Sequence, residues 1–124
     1  MKLEFIAEGA QDCPLIRLYS FDQHELLRLS ETVGALSKGS VQNVVLNEHP
    51  GIEPVSSCEL TLRVGARDLG VMQTGPAKFD CVLTPDAWEC VQELIDPFFK
   101  ATGGYQWLSK EGNISLLLSN SGSW

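Results

Sequence analysis

The sequence predicts an α+β domain. The expected form is an antiparallel sheet of seven to eight strands with two amphipathic helices packed on one face, in the order ββαββββαββ. Three observations predict it. Two segments carry apolar residues at spacings of three, four and three: Leu26, Leu29, Val33, Leu36, and Trp88, Val91, Ile95, Phe98. Several short segments alternate apolar and polar residues, residues 58–64 most cleanly. Short turn-like stretches join successive strand segments, which favours antiparallel neighbours.

The segment 79–99 is the spine. Phe79, Cys81 and Leu83 point one way along a strand, and a helix begins just after Thr84. Thr84 is an N-cap whose hydroxyl can accept from an unpaired helical N–H. Pro85 follows at the first helical position, where the missing N–H costs nothing. Asp86 places negative charge in the first turn, where the helix dipole favours it. Pro97 ends the helix near Asp96 or kinks it through Phe98 and Phe99. Gly103 and Gly104 close the segment.

From the start of the chain, residues 3–7 alternate as a half-buried strand, and residues 15–19 form its hairpin partner across a turn at 9–14. Asp22 and Glu25 make a capping box in its acidic form, opening the first helix. Leu27 widens that helix's stripe, Gly34 weakens the helix by about 1 kcal/mol relative to alanine, and Gly39 terminates it. Residues 41–46 are β-prone. Residues 47–57 contain Pro50, Gly51 and Pro54 and are expected to be irregular. In 58–64, Leu60, Leu62 and Val64 face inward, while Glu59, Thr61 and Arg63 leave that sheet face partly wet. Residues 67–70 turn into a strand at 71–74, which turns again at 74–76 into the spine. After the second helix come a strand at 105–109, a turn at 110–113, and a strand at 114–119 that is apolar on both faces and therefore central. Strand, cap and helix occur twice, at 15–36 and 79–99, which raises an internal duplication.

At 124 residues the chain is long enough for one domain, spanning residues 1–124, with a core that needs no staples. Its net charge of −7 argues against a nucleic-acid partner or an anionic membrane surface. No apolar run reaches membrane-spanning length, and Glu4 and Glu8 interrupt the N-terminal apolar stretch where an export signal would be continuous. Cytoplasmic location with reduced thiols is expected for Cys13, Cys58, Cys81 and Cys90, each read as a small core residue. Asn113-Ile114-Ser115 fits a glycosylation pattern that has no meaning without export.

No motif names a reaction. His24-Glu25-Leu26-Leu27-Arg28 begins like a zinc-protease helix, but Arg28 stands where the second histidine must be. No cysteine pair has zinc-knuckle spacing, and Gly103-Gly104 follows a helix instead of opening one onto a phosphate. No metal or cofactor is expected. Tyr105 and Trp107 share a strand face; with Trp124 they are a recognition platform if exposed, but core packing is the plainer expectation. Arg63 and Arg67 form the one basic cluster, read as surface charge.

Two sets of residues remain as candidate sites. Asp86, Glu89, Glu93 and Asp96 recur at three, four and three on the solvent face of the second helix, with only Lys100 placed to pair with Asp96. The plain reading is a solvated face; the sharper one is an acidic ridge that docks a basic protein partner. On that ground the leading expectation is a small cytoplasmic, non-enzymatic interaction or inhibitor-type module. The second set, Glu48, His49 and Glu53, lies in the 47–57 loop and is the basis of the alternative expectation, a small-molecule binder or hydrolase that uses this loop. A self-associating structural domain, a homo-oligomer, is the third reading.

Overall fold

The structure is a computed structural model that describes residues 1–100 and 103–124. Among those residues the chain is α+β, with two α-helices and nine strands. The strands are β1 (Lys2–Ile6), β2 (Leu15–Tyr19), β3 (Asn43–Val45), β4 (Glu53–Pro54), β5 (Glu59–Val64), β6 (Gly70–Gly75), β7 (Lys78–Leu83), β8 (Tyr105–Ser109) and β9 (Ser115–Ser119); the helices are α1 (Gln23–Lys38) and α2 (Pro85–Ile95).

The expected single antiparallel sheet is instead two mixed sheets, in the orders β4-β1-β2-β9-β8 and β3-β5-β7-β6. The hairpins β1/β2, β6/β7 and β8/β9 are antiparallel, as their short connections require. But β2 runs parallel to β9, β7 parallel to β5, and β1 parallel to β4. The reason lies in the helices. Each carries the chain from one sheet to the other, so strands remote in sequence become neighbours, and turn length says nothing about their direction.

The two halves of the chain trace the same path. In the first, hairpin β1/β2 enters one sheet, α1 follows, and β3 and β5 pair antiparallel in the other sheet. In the second, β6/β7, α2, and β8 with β9 do the same with the sheets exchanged. Swapping the halves converts the order β1-β2-β9-β8 into β6-β7-β5-β3, parallel central pairs included. The repeat of strand, cap and helix seen in the sequence is therefore a repeat of topology.

One apolar cluster joins both sheets and both helices. Both helical stripes lie in it, and Trp88 is fully buried, its indole Nε1 donating to the Arg63 carbonyl at 3.0 Å. Leu60, Leu62, Phe79, Cys81 and Leu83 line the inner side of one sheet; Leu3, Ile16, Leu18, Leu116 and Leu118 line the other. The sheets touch where Phe5 meets Phe79, ring centroids 4.5 Å apart. Leu27 departs from expectation: it is 47% exposed and does not widen the α1 stripe. Gly34 also takes a different role, because it lies where α1 meets α2, and a Cβ there would fall 2.6 Å from Gln92 Nε2.

The helix ends follow the sequence. Asp22 and Glu25 form both hydrogen bonds of the capping box, Gly39 caps α1 in the left-handed conformation, and Thr84 Oγ1 accepts from Ala87 N at 3.2 Å. The α-helix of α2 stops at Ile95, and a 3-10 turn over Asp96–Phe99 keeps Phe98 on the buried face past Pro97.

Residues 47–57 are not wholly irregular. A 3-10 turn over Leu46–Glu48, which shortens the expected strand at 41–46, leads to β4 and a second turn over Val55–Ser57. Pro54 fits because β4 is a sheet edge, where no donor is needed on the open side.

β9 is central as expected, between β2 and β8. Leu117 on its second face is fully buried, as is Leu15, although neither belongs to the main cluster. The C-terminal residues fold back over this face. Arg17 Nη1 donates to the Gly122 carbonyl at 2.7 Å, and Ser119 Oγ accepts from Gly122 N at 3.0 Å.

Candidate functional site

The α2 ridge is displayed as the spacing requires. The stripe of Trp88, Val91 and Ile95 is buried, so Asp86, Glu89, Glu93 and Asp96 project from the opposite side, and all four are exposed. None of them is in an ion pair within 4 Å among the described residues, and that includes Asp96 with Lys100.

Glu4, Glu25, Glu59 and Asp80 are each matched by a cation. Arg17 Nε and Nη2 donate to Glu4 Oε1 at 2.8 and 2.6 Å. Arg63 Nε meets Asp80 at 3.0 Å, Lys78 meets Glu59 at 3.7 Å, and the Met1 amino group meets Glu25. Sheet register produces two of these pairs: Glu4 lies opposite Arg17 and Glu59 opposite Lys78. Arg67, the other member of the basic cluster, is exposed.

Next to the ridge is a groove that the sequence did not reveal. It has a volume of about 500 Å3 and runs between the first turns of α2 and the β8–β9 turn. Its floor is apolar: Leu83, Ala87, Val91 and Leu108. Among the described residues its rim holds Asp68, Asp86 and Glu111 against one cation, Lys110. The Lys110 ammonium sits 4.6 Å from the centroid of the Trp107 ring, a distance at which the ring attracts it. Asp68 Oδ1 accepts from Thr84 N and Thr84 Oγ1, both at 2.9 Å, and so braces the start of α2. The end wall is fixed by close backbone contact: Gly70 has φ +73, and a Cβ there would fall 2.2 Å from the Glu111 carbonyl oxygen. Only glycine fits that approach.

The four cysteines divide. Cys58 and Cys81 are buried core residues, and burial pushes their thiols up to about 11 and about 12. The expectation of core packing fails for Cys90, which is exposed in the groove because it follows Glu89 on the outward side of α2, and for Cys13, which is half-buried in a connecting loop.

The second candidate set is not assembled into a pocket. Glu48 and Glu53 are exposed, and His49 is half-buried against α1. The cavity beside His49 is about 10 Å3, room for roughly one water. Arg28 Nη1 holds the loop through the Pro50 carbonyl at 3.2 Å, and the Met1 amino group donates to the Gly51 carbonyl at 2.8 Å. His24 is exposed at the start of α1.

The aromatic pair is likewise not core. Tyr105 is 51% exposed, and Trp107 is half-buried with its ring 6.4 Å from that of Tyr105. β8 is an edge strand and buries Leu108 in the main cluster, so the alternate residues turn to the other face. Trp124 is half-buried.

Among the described residues no group of three or more His, Cys, Asp or Glu could hold a metal ion. No helix is long and apolar enough to cross a membrane. Comparison with known proteins assigns no family: no family model, no curated protein and no solved structure matches the chain.

Proposed function

We propose that this chain is a non-enzymatic protein-interaction module of the inhibitor type, working in the cytoplasm and engaging a basic protein partner through Asp86, Glu89, Glu93 and Asp96. One observation carries the reading. All four carboxylates are exposed and outside any ion pair among the described residues, on one helix face with no cation between them, while Glu4, Glu59 and Asp80 on the sheets are paired with cations opposite or beside them. A single-sign surface steers a partner of opposite sign and loses its reach as salt shortens the screening length to roughly 8 Å at physiological ionic strength. The apolar floor of the adjacent groove supplies what charge alone lacks, a desolvated centre around which a stable interface can form.

The alternative, a small-molecule binder or hydrolase built on Glu48, His49 and Glu53, has less support. The cavity beside His49 is about 10 Å3, against several hundred Å3 for ordinary ligand sites.

The test uses the immobilised chain at low salt beside a variant with all four ridge acids changed to serine. The expected result is a partner retained by the wild type, eluted as salt rises, and absent from the variant. Equal retention of the same partner by a correctly folded variant would refute the reading.

A further inference from the structure

The two halves of the chain build the same arrangement twice, and only one copy is filled. Aligned at their caps Asp22 and Thr84, α1 and α2 place Leu26, Leu29 and Val33 where Trp88, Val91 and Ile95 stand. Glu25 and Arg28 then correspond to Ala87 and Cys90. In the first half, the space beside these positions is occupied by His49, Pro50, Gly51 and Ile52, from the long connection 46–58 between β3 and β5. Arg28 holds Pro50, and Gly51 lies against Glu25, where a Cβ would be 3.3 Å from Oε2. What remains open is the cavity of about 10 Å3. In the second half the corresponding connection is only 110–114, and the same space is the groove of about 500 Å3.

We infer that the groove receives an extended segment of the partner, bearing an arginine or lysine, in the place that residues 49–52 take in the first half. The inference rests on the proposed basic partner and names the part of it that anchors. The aliphatic stem lies on Leu83, Ala87, Val91 and Leu108, and the charged head meets the rim acids Asp68, Asp86 and Glu111. The Lys110 ammonium on the rim does not compete at the centre, because it is drawn to Trp107. The positive end of α2 faces the same space, but Thr84 caps it, Asp86 stands in its first turn and Asp68 braces it, so anions already answer that dipole. Arginine suits the site better than lysine, since its planar fork can address two carboxylates at once.

The probe is the blocked tetrapeptide acetyl-Arg-Pro-Gly-Ile-amide, which repeats residues 50–52 after an arginine. It is compared with the same peptide carrying norleucine or glutamate in place of arginine. Each is titrated into the full chain and followed by amide 1H–15N shifts. The arginine peptide should give saturable shifts confined to residues 83–91 and 108–111, about tenfold stronger binding than norleucine, and protection of Cys90 from alkylation; the glutamate peptide should give none of this. Filling the groove with Ala87→Trp should abolish binding. Asp86→Asn with Glu111→Gln, which leaves the apolar floor intact, should weaken arginine but not norleucine. Glu89→Gln, Glu93→Gln and Asp96→Asn together should leave the peptide affinity within about twofold. Absence of groove shifts at about 5 mM arginine peptide, or equal shifts from all three peptides, overturns the inference. A partner lost on ridge substitution but indifferent to Ala87→Trp and to the arginine peptide overturns the groove assignment and leaves the ridge standing.

Discussion

Gly34 separates helix propensity from packing. It lies in the middle of α1, where alanine would stabilise an isolated helix by about 1 kcal/mol. Packing against α2 opposes that gain. A Cβ at position 34 would lie 2.6 Å from Gln92 Nε2 and 3.2 Å from its carbonyl carbon. The obstacle is the end of a flexible side chain, so Gln92 can swing away. Swinging breaks its hydrogen bond to the Ser30 carbonyl, now 3.1 Å, at a cost of about 1 kcal/mol. The two terms offset, so Gly34→Ala in the wild-type background should change stability by less than about 0.5 kcal/mol. In a Gln92→Ala background the obstacle is gone, and the same substitution should stabilise by about 1 kcal/mol. The coupling between the two sites is then about 1 kcal/mol, well above the error for independent sites. Urea unfolding of the four proteins, at unchanged m-value, measures it. If Gly34→Ala stabilises equally in both backgrounds, the helices are not as close as described. If it destabilises by more than about 3 kcal/mol in both, the clash is with something less yielding than Gln92.

Three further outcomes are expected. Trp88→Phe should cost about 1–3 kcal/mol, because the Arg63 carbonyl loses its indole donor while a ring still fills most of the space; Trp88→Ala should cost about 3–5 kcal/mol, both read from urea midpoints. Cys58 and Cys81 are raised from 9.0 to about 11 and about 12 in the folded state. The unfolded chain therefore releases their protons first as pH rises above about 9, so stability is full below that value and falls by up to about 1.4 kcal/mol per pH unit per thiol until the folded values are reached; a Cys58→Ala, Cys81→Ala variant should show a shallower decline over that range. Glu89→Gln with Glu93→Gln should stabilise the isolated chain by a few tenths of a kcal/mol in low salt, by relieving an i,i+4 repulsion, and the gain should vanish at 1 M salt in paired thermal melts.

What the sequence made legible was local. Both helical stripes, the Asp22 and Thr84 caps, the Gly39 stop and the inward faces of β5 and β7 each depend on residues close together in the chain, and they appear where spacing put them. The parallel pairs β2/β9 and β5/β7 depend on which sheet each helix exits into, and no residue near those strands encodes that. Tyr105 and Trp107 were expected in the core because alternation says which residues share a face, not which face is covered. The ridge residues could be read directly, being complementary to a buried stripe. The groove could not: it exists because the connection between β8 and β9 is short where its counterpart between β3 and β5 is long, a comparison that requires the topology.

That comparison also bears on the ridge. α1 and α2 hold the same place in the two halves and bury matching stripes, so fold and solubility make the same demands on their outer faces. Yet α1 mixes His24, Arg28, Glu31 and Lys38 among its exposed residues, while the acids of α2 have no cation interspersed between Asp86 and Asp96. A mixed face satisfies water and avoids like-charge repulsion; a single-sign face keeps that repulsion in the free chain, at a few tenths of a kcal/mol for each i,i+4 pair. An opposite charge brought from outside removes it. The asymmetry falls on the helix whose neighbouring groove is open, and the self-filled half, where residues 49–52 already cover the helix, carries no such face. Charge and vacancy thus coincide on α2, which is the arrangement a docking surface needs and a structural repeat alone does not.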